Sequence, residues 1–160
     1  MIKIKIITVG KLKEKYLIDG INEYAKRMLS FSKLEFNEVI DEKIPDRASK
    51  AQEEIIKLKE GRRILDKIKE NDYLILLDVQ AKQLSSIDFS NYLDKLAVDG
   101  KSSIAFVIGG SLGISPEVKK RSNFEISFSK MTFPHQLMKL VLIEQIYRAF
   151  KIIHNQTYHK

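Results

Sequence analysis

Two short runs, Leu74-Ile75-Leu76-Leu77 and Ile104-Ala105-Phe106-Val107-Ile108, are apolar at every position and lack the in-out alternation of a half-solvated strand. Strands of that kind must be covered on both faces, which is the situation of central strands in a parallel sheet. Taking residues 73–79 and 104–108 as strands, the β-branched stretches 2–9, 36–40 and 125–128 read as their companions. Helical patterns occupy the gaps. They cover residues 14–29, about 47–69, a segment opened by Ser85-Ser86-Ile87-Asp88 that fits a capping box, and residues 116 to about 122. Strands alternating with helices specify an α/β fold with a mostly parallel sheet of about five or six strands. No repeat, low-complexity tract or Pro/Gly-rich linker divides the chain, so residues 1–160 read as a single domain.

The last helical segment differs from the others. Thr132 or Phe133 can cap it, Pro134 suits the first helical position, and QLMKLVLIEQIYRAFKII then runs on for about five turns. Glu144, Gln145, Arg148 and Lys151 fall on one narrow stripe, while apolar side chains from Met138 to Ile153 span more than half the circumference. So wide an apolar face asks for two partners: the sheet, and either deeper burial or the same helix of a second subunit in a twofold dimer. Lys139 falls inside the apolar arc, where it either snorkels out or reaches into a site.

Charge is distributed unevenly. Residues 1–33 carry eight basic and three acidic side chains, residues 134–160 carry four and one, and the middle is nearly neutral with 16 and 17. If the two ends meet, they form a cationic face suited to phosphate or nucleic acid, although a solvated lysine-rich surface gives the same count. Lys11, Lys13, Lys15, Lys26 and Arg27 are the candidates. There is no cysteine and no apolar run long enough for a membrane span, which points to a cytoplasmic protein without disulfides or membrane contact. The three histidines, His135, His154 and His159, have no metal-ligand spacing with carboxylates, so no metal is expected.

Gly109-Gly110-Ser111-Leu112-Gly113 follows the second buried run and matches G-x-S-x-G, the nucleophile elbow of serine hydrolases. In an elbow the helix begins directly after the serine. Here Ser115-Pro116-Glu117 is itself a helix start, four residues beyond Ser111, which puts Ser111 in a loop. The glycines then mean close approach of backbone or ligand beyond a strand's carboxyl end. The loop SFSKMTFPHQ, residues 127–136, interleaves Phe128, Met131 and Phe133 with Ser129, Lys130 and Thr132. Apolar walls with hydrogen-bonding groups between them suit an adenine-containing ligand, and structural packing accounts for the same pattern.

Together, ITVGKLKEKY, FVIGGSLG, RSNFEISFSKMTFPHQLMKLVLIEQIYRAFKI and the closing YHK closely resemble the bacterial ribosomal RNA large subunit methyltransferase H family, small SPOUT-class methyltransferases. The resemblance covers nearly the whole chain and is weakest over residues 31–70. It implies an α/β/α sandwich with a C-terminal trefoil knot, a homodimer, and transfer of a methyl group from S-adenosyl-L-methionine to N3 of a pseudouridine in large-subunit ribosomal RNA, on the assembled ribosome. It further implies that Leu77, Gly109, Phe128, Ser129, Lys130, Met131, Thr132 and Phe133 hold the cofactor. Tyr158, His159 and Lys160 would approach the partner's cofactor site, with His135 and Arg148 as helpers. Members of the family often end in Tyr-His-Arg plus one more residue; Lys160 brings a point charge without the guanidinium fork. A non-catalytic RNA- or ribosome-binding dimer is the alternative function, and a serine hydrolase using Ser111 is a third.

Overall fold

The computed structural model describes residues 1–160. Its elements in chain order are β1 (Ile2–Val9), α1 (Lys15–Met28), β2 (Ser32–Val39), α2 (Lys50–Leu65), β3 (Tyr73–Leu77), α3 (Ser86–Val98), β4 (Ser103–Ile108), α4 (Pro116–Arg121), β5 (Phe124–Ile126) and α5 (His135–Ile153). The strands form one sheet in the order β2-β1-β4-β3-β5, and every pairing is parallel. All six residues of β4 are buried, as its unbroken apolar run requires. Ile104, Phe106 and Ile108 enter one core with α1, α3 and α5, while Ala105 and Val107 enter a second with α2 and α4. Each fully buried side chain of the size of isoleucine contributes about 1.5–3 kcal/mol relative to exposure.

The expected boundaries shift where local chemistry decides them. β2 starts at Ser32 rather than 36 because it is an edge strand whose Lys33 and Glu35 can face water while its backbone pairs with β1 along eight residues. Ser85 does cap α3, accepting from the Asp88 N–H at 3.0 Å, but no reciprocal bond forms. The aspartate is one methylene shorter than the Glu or Gln a capping box uses. The full box occurs instead at α2, where Gln52 donates its N–H to Ser49 Oγ at 3.2 Å and its side-chain oxygen accepts the Ser49 N–H at 2.8 Å. Ser115 caps α4 ahead of Pro116 as expected. On α5, Pro134 itself occupies the cap position and neither Thr132 nor Phe133 caps the helix.

None of the 19 residues of α5 is exposed, and seven are buried. The sheet lies beneath it and α1 and α3 flank it, so its wide apolar arc finds cover within one protomer. Phe31, at the end of α1, stacks on Phe150 at 5.6 Å and meets His154 at 5.2 Å. A half-exposed outward stripe remains, running through Leu137, Val141, Glu144, Gln145, Arg148 and Ile152. The two basic termini do meet: α1 packs on α5, and Gln136 donates its amide to the Lys11 carbonyl at 3.1 Å.

Lys5 leaves that basic count altogether. It points from β1 into the layer under α2 and is 2% exposed. Its ammonium donates to Asp72 Oδ2 at 2.8 Å and to the Lys67 carbonyl at 2.8 Å, while Asp72 also accepts the Ser103 hydroxyl at 2.6 Å and the Lys69 N–H at 2.8 Å. Burial pushes the Asp72 carboxyl up, but these donors outweigh it and hold the group below the usual carboxylate range.

Candidate active site

A cavity of about 350 Å³ opens at the carboxyl ends of β3, β4 and β5, where Leu77, Ile108 and Ile126 form its floor. Its walls are the loop Gly109–Ile114, the loop after β5, and His135 and Met138 from the first turn of α5. Of the expected cofactor residues, Leu77, Gly109, Phe128, Ser129, Met131, Thr132 and Phe133 all line this cavity, together with His135. Lys130 lies outside it, on a neighbouring hollow with Gln80, Gln83 and Thr132.

The glycine loop is shaped by contact on both sides. A Cβ at Gly109 would stand 2.6 Å from Ile114 Cδ1 and 3.2 Å from the Gly113 carbonyl, and Gly113 holds φ +92°. The Gly113 N–H closes the turn on the Gly110 carbonyl at 3.0 Å. Ser111 therefore sits in a tight glycine turn well before α4, and no hydrogen bond joins it to His135. The strained strand-to-helix elbow of a hydrolase is absent.

The loop after β5 packs on the core at one point and lines the cavity at others. Phe128 meets Phe89 edge-on at 6.0 Å and so ties the loop to the core, whereas Met131 is 75% exposed and Phe133 38%. Ser127 Oγ donates to the Ser129 carbonyl at 2.9 Å, and Ser129 Oγ accepts the Met131 N–H at 3.0 Å. The Ser127 N–H in turn bonds the Lys82 carbonyl at 2.9 Å, stitching this loop to the one after β3.

His135 stands at a junction. Besides the main cavity it lines a second one of about 210 Å³ between the ends of β1 and β4, walled by Val9, Asp41, Glu60, Gly110 and Ser111. On its other side is a small recess with Glu38 and Lys139. Lys139 neither snorkels out nor reaches the main cavity: it is 5% exposed, sits over the Phe36 ring at 4.9 Å, and has Glu38 at 4.0 Å. Burial pushes its ammonium down, with Glu38 opposing.

Sequence reasoning missed Glu60. It stands on the buried stripe of α2 with Ile56 and Ile64, a carboxylate at i+4 between two isoleucines, and that spacing was the available signal. Glu60 is 6% exposed. Its Oε2 accepts the Glu42 N–H at 3.0 Å, and burial, with Asp41 and Glu42 adding to it, pushes the carboxyl up against that bond and Arg63. Arg63 is itself occupied by the Glu42 carboxylate and the Ile40 carbonyl.

The expected tail residues are not brought to this protomer's own cavity. Tyr158 packs edge-on against Tyr147 at 4.9 Å, donates to Glu144 at 3.1 Å and lies 3.4 Å from the Tyr24 hydroxyl. Arg148 sits over its ring at 4.7 Å, bonds Glu144 and approaches His159 Nδ1 at 3.1 Å. Burial, then these hydrogen bonds, push the Tyr158 hydroxyl well up. Lys160 is exposed. This cluster lies on the middle of α5, while the cavity meets only its first turn. No group of three or more His, Cys, Asp or Glu side chains is arranged to hold a metal ion, and no helix is long and apolar enough to cross a membrane.

Comparison with known proteins gives one consistent picture. The model of a family described as predicted SPOUT methyltransferase matches residues 2–159. Proteins named ribosomal RNA large subunit methyltransferase H are similar over almost their full length. The one from Bacillus cytotoxicus is 60% identical over 98% of this chain and 99% of its own, and that from Enterococcus faecalis 57% over 99% of each. The Desulfitobacterium hafniense protein is 52% identical over 100% of both chains. Among solved structures, a probable methylase family protein from Haemophilus influenzae Rd KW20 superposes with a TM-score of 0.54 at 13% identity, covering 100% of this chain and 72% of that one, a likeness of fold.

Proposed function

The chain belongs to the SPOUT methyltransferase family, within its ribosomal RNA large subunit methyltransferase H branch, and from that premise we propose that it methylates N3 of a pseudouridine in large-subunit ribosomal RNA, on the assembled ribosome. The observation that carries the reading is the cavity over β3, β4 and β5, with its glycine loop on one side and an apolar, hydroxyl-bearing loop on the other. The fit to S-adenosyl-L-methionine is tested by Gly109: any side chain there would collide with Ile114, so the loop keeps bare backbone facing the cavity. Leu77, Phe128, Met131 and Phe133 supply apolar surface for an adenosine, and Ser129, Thr132 and the backbone supply polar partners. Lys130, on the adjoining hollow, is reserved for the cofactor's polar end or for RNA.

When bound, the cofactor would supply a sulfonium methyl group to N3, departing as the neutral thioether, with the N3 proton passing to water. The protein's part is positional and electrostatic. It holds the ring nitrogen in line with the methyl group and favours the ring's developing negative charge. His135, at the cavity's mouth, is placed to hydrogen-bond a ring carbonyl. Tyr158, His159 and Lys160 serve the same end in the partner's site, which makes the enzyme a homodimer with composite sites. The half-exposed stripe from Leu137 to Ile152 supports that association. The same reading includes a C-terminal trefoil knot.

RNA recognition falls to shape and phosphate contacts, since the whole chain is spanned by one sheet and its helices. Lys11, Lys13 and Lys26 make no ion pair within the protomer, whereas Lys15 and Arg27 are engaged by Asp19 and Glu23. A ribosomal substrate also places the protein in the cytoplasm. The test is transfer from labelled S-adenosyl-L-methionine to ribosomes from cells lacking this protein, beside isolated large subunits and naked RNA. Label at one pseudouridine, only in assembled ribosomes, is the expected result. No label in any substrate and no cofactor binding by calorimetry would refute the reading and leave a ribosome-binding dimer.

A further inference from the structure

We infer that the cavity between β1 and β4 is the seat of the target base, and that Glu60 there selects pseudouridine over uridine by accepting the hydrogen bond of its N1–H. This rests on the function proposed above and adds to it the residue that recognises the substrate.

Topology points to the crevice first. The connection leaving β1 passes through α1 to β2 on one side, and that leaving β4 passes through α4 to β5 on the other, with the two helices on opposite faces of the sheet. β1 and β4 are thus neighbours whose exits diverge, and open α/β sheets bind ligands outside the carboxyl ends of such a pair. The cavity of about 210 Å³ occupies that position, with Val9 at the end of β1 and Gly110 after β4. It shares Gly110, Ser111 and His135 with the main cavity, so a ring seated in it presents one edge to whatever the main cavity holds.

The second observation is the polar atom aimed into it. Glu60 is more than nine-tenths buried, only its Oε2 is engaged, by the Glu42 N–H, and its Oε1 lies 3.1 Å from where a Cβ on Gly110 would stand. Arg63, whose charge acts on Glu60, is taken up by Glu42 and Ile40. Oε1 has no donor within the protein and stays accessible from the cavity, so a ligand N–H can meet it there. Asp41, Glu42 and Glu60 line the walls against the single ammonium of Lys43, so carboxylates outnumber cations there and the balance favours an N–H over a phosphate.

Pseudouridine provides that donor in the required place. Its ring carries N1–H, the C2 carbonyl and N3–H in sequence along one edge, whereas uridine has no N1–H because N1 holds the ribose. Enzymes acting on a base draw it out of the stack into a pocket, which delivers this edge to the protein. With N3 turned toward the main cavity, N1–H turns toward Glu60, and His135, common to both cavities, faces the carbonyl between them. A site built around a substrate N–H discriminates strongly against an analogue lacking it, because its acceptor is then left buried and unpaired.

The experiment compares methylation of ribosomes carrying pseudouridine at the target with ribosomes carrying uridine there, from cells lacking the pseudouridine-forming enzyme, by wild type and Glu60→Gln. The glutamine oxygen keeps the Glu42 N–H and turns an amide N–H₂ into the cavity. Expected is a fall of about 10- to 100-fold in kcat/KM on pseudouridine, with the rate on uridine and the affinity for S-adenosyl-L-methionine unchanged. Glu60→Asp, which keeps the charge but withdraws it by one methylene, is expected to fall between the two and guards against a misfolded glutamine variant. An unchanged pseudouridine-to-uridine ratio in variants that fold and bind the cofactor overturns the inference alone. Absence of transfer by the wild type to either ribosome refutes the methylation reading, and this inference with it.

Discussion

Two buried carboxylates, Glu60 on α2 and Asp72 beyond that helix's end, have opposite fates. At the amino end of the sheet, Asp72 is saturated by Lys5, Ser103 and Lys69, and the Lys5 ammonium also reaches the Lys67 carbonyl. At the carboxyl end, Glu60 has one backbone donor for two oxygens and a cavity in front of the second. The donors hold Asp72 down; burial drives Glu60 up. A buried charge with both oxygens hydrogen-bonded is architecture, whereas one left partly open in a crevice is a candidate for function.

If that division is real, disturbing the open end should destroy binding while sparing the fold, and disturbing the closed end should do the reverse. The largest expected effect is Gly109→Arg: the side chain fills the main cavity, and calorimetry should find no binding of S-adenosyl-L-methionine while circular dichroism stays that of the wild type. Binding at wild-type affinity would remove the glycine loop from the site. Next is Asp72→Ala, which strands the Lys5 ammonium and should cost about 3–5 kcal/mol in urea unfolding, with cofactor affinity unchanged in the folded fraction. The pH dependence adds a sign. Asp72 has a depressed pKa in the folded state, so its contribution is present above the ordinary carboxylate range and is lost as pH falls through the folded value. The variant's stability should therefore respond less to acid than the wild type's.

Deleting Tyr158 to Lys160 removes contacts on α5 and should lower turnover about tenfold, or about 1.4 kcal/mol, with the fold retained. Turnover at the full rate would sever the tail from catalysis. The smallest effect is the most diagnostic. Glu60→Gln should raise stability by up to about 1 kcal/mol at pH 8, a gain that vanishes below the carboxylate range, because the raised folded pKa makes the wild-type carboxylate a liability once ionised. Loss of stability in this variant would place Glu60 with Asp72 on the structural side.

Legibility in the sequence followed the range of the interactions. The uniform apolar runs of β3 and β4, the Ser115-Pro116 helix start and the cavity-lining glycines are local patterns, and they lie where expected. Edge strand β2 was half missed because its backbone pairs on one side only, leaving charged residues at alternate positions. Lys5 and Asp72 are 67 residues apart, and nothing local announces that either will be buried, let alone that they will meet. For α5 the sequence left deeper burial and a second subunit both open, since periodicity measures the width of a face but not how many neighbours the fold brings to it. Lys139 and Glu60 carried a signal, a charge inside an apolar stripe, but the stripe cannot say which of them will border a cavity.

The cover that α5 gives to the sheet also governs how the protein comes into being. Leu142, Ile143 and Ile146, from a helix synthesised after all five strands, cover the face of the sheet that bears Ile4, Ile6 and Phe106. Chains emerge from the ribosome amino end first, so that face has no lid until α5 follows the strands out and docks between α1 and α3. Until then the nascent chain displays an apolar surface of the kind that chaperones hold. The first turn of α5, with His135 and Met138, arrives in the same event, so the cavity is completed only as the core closes.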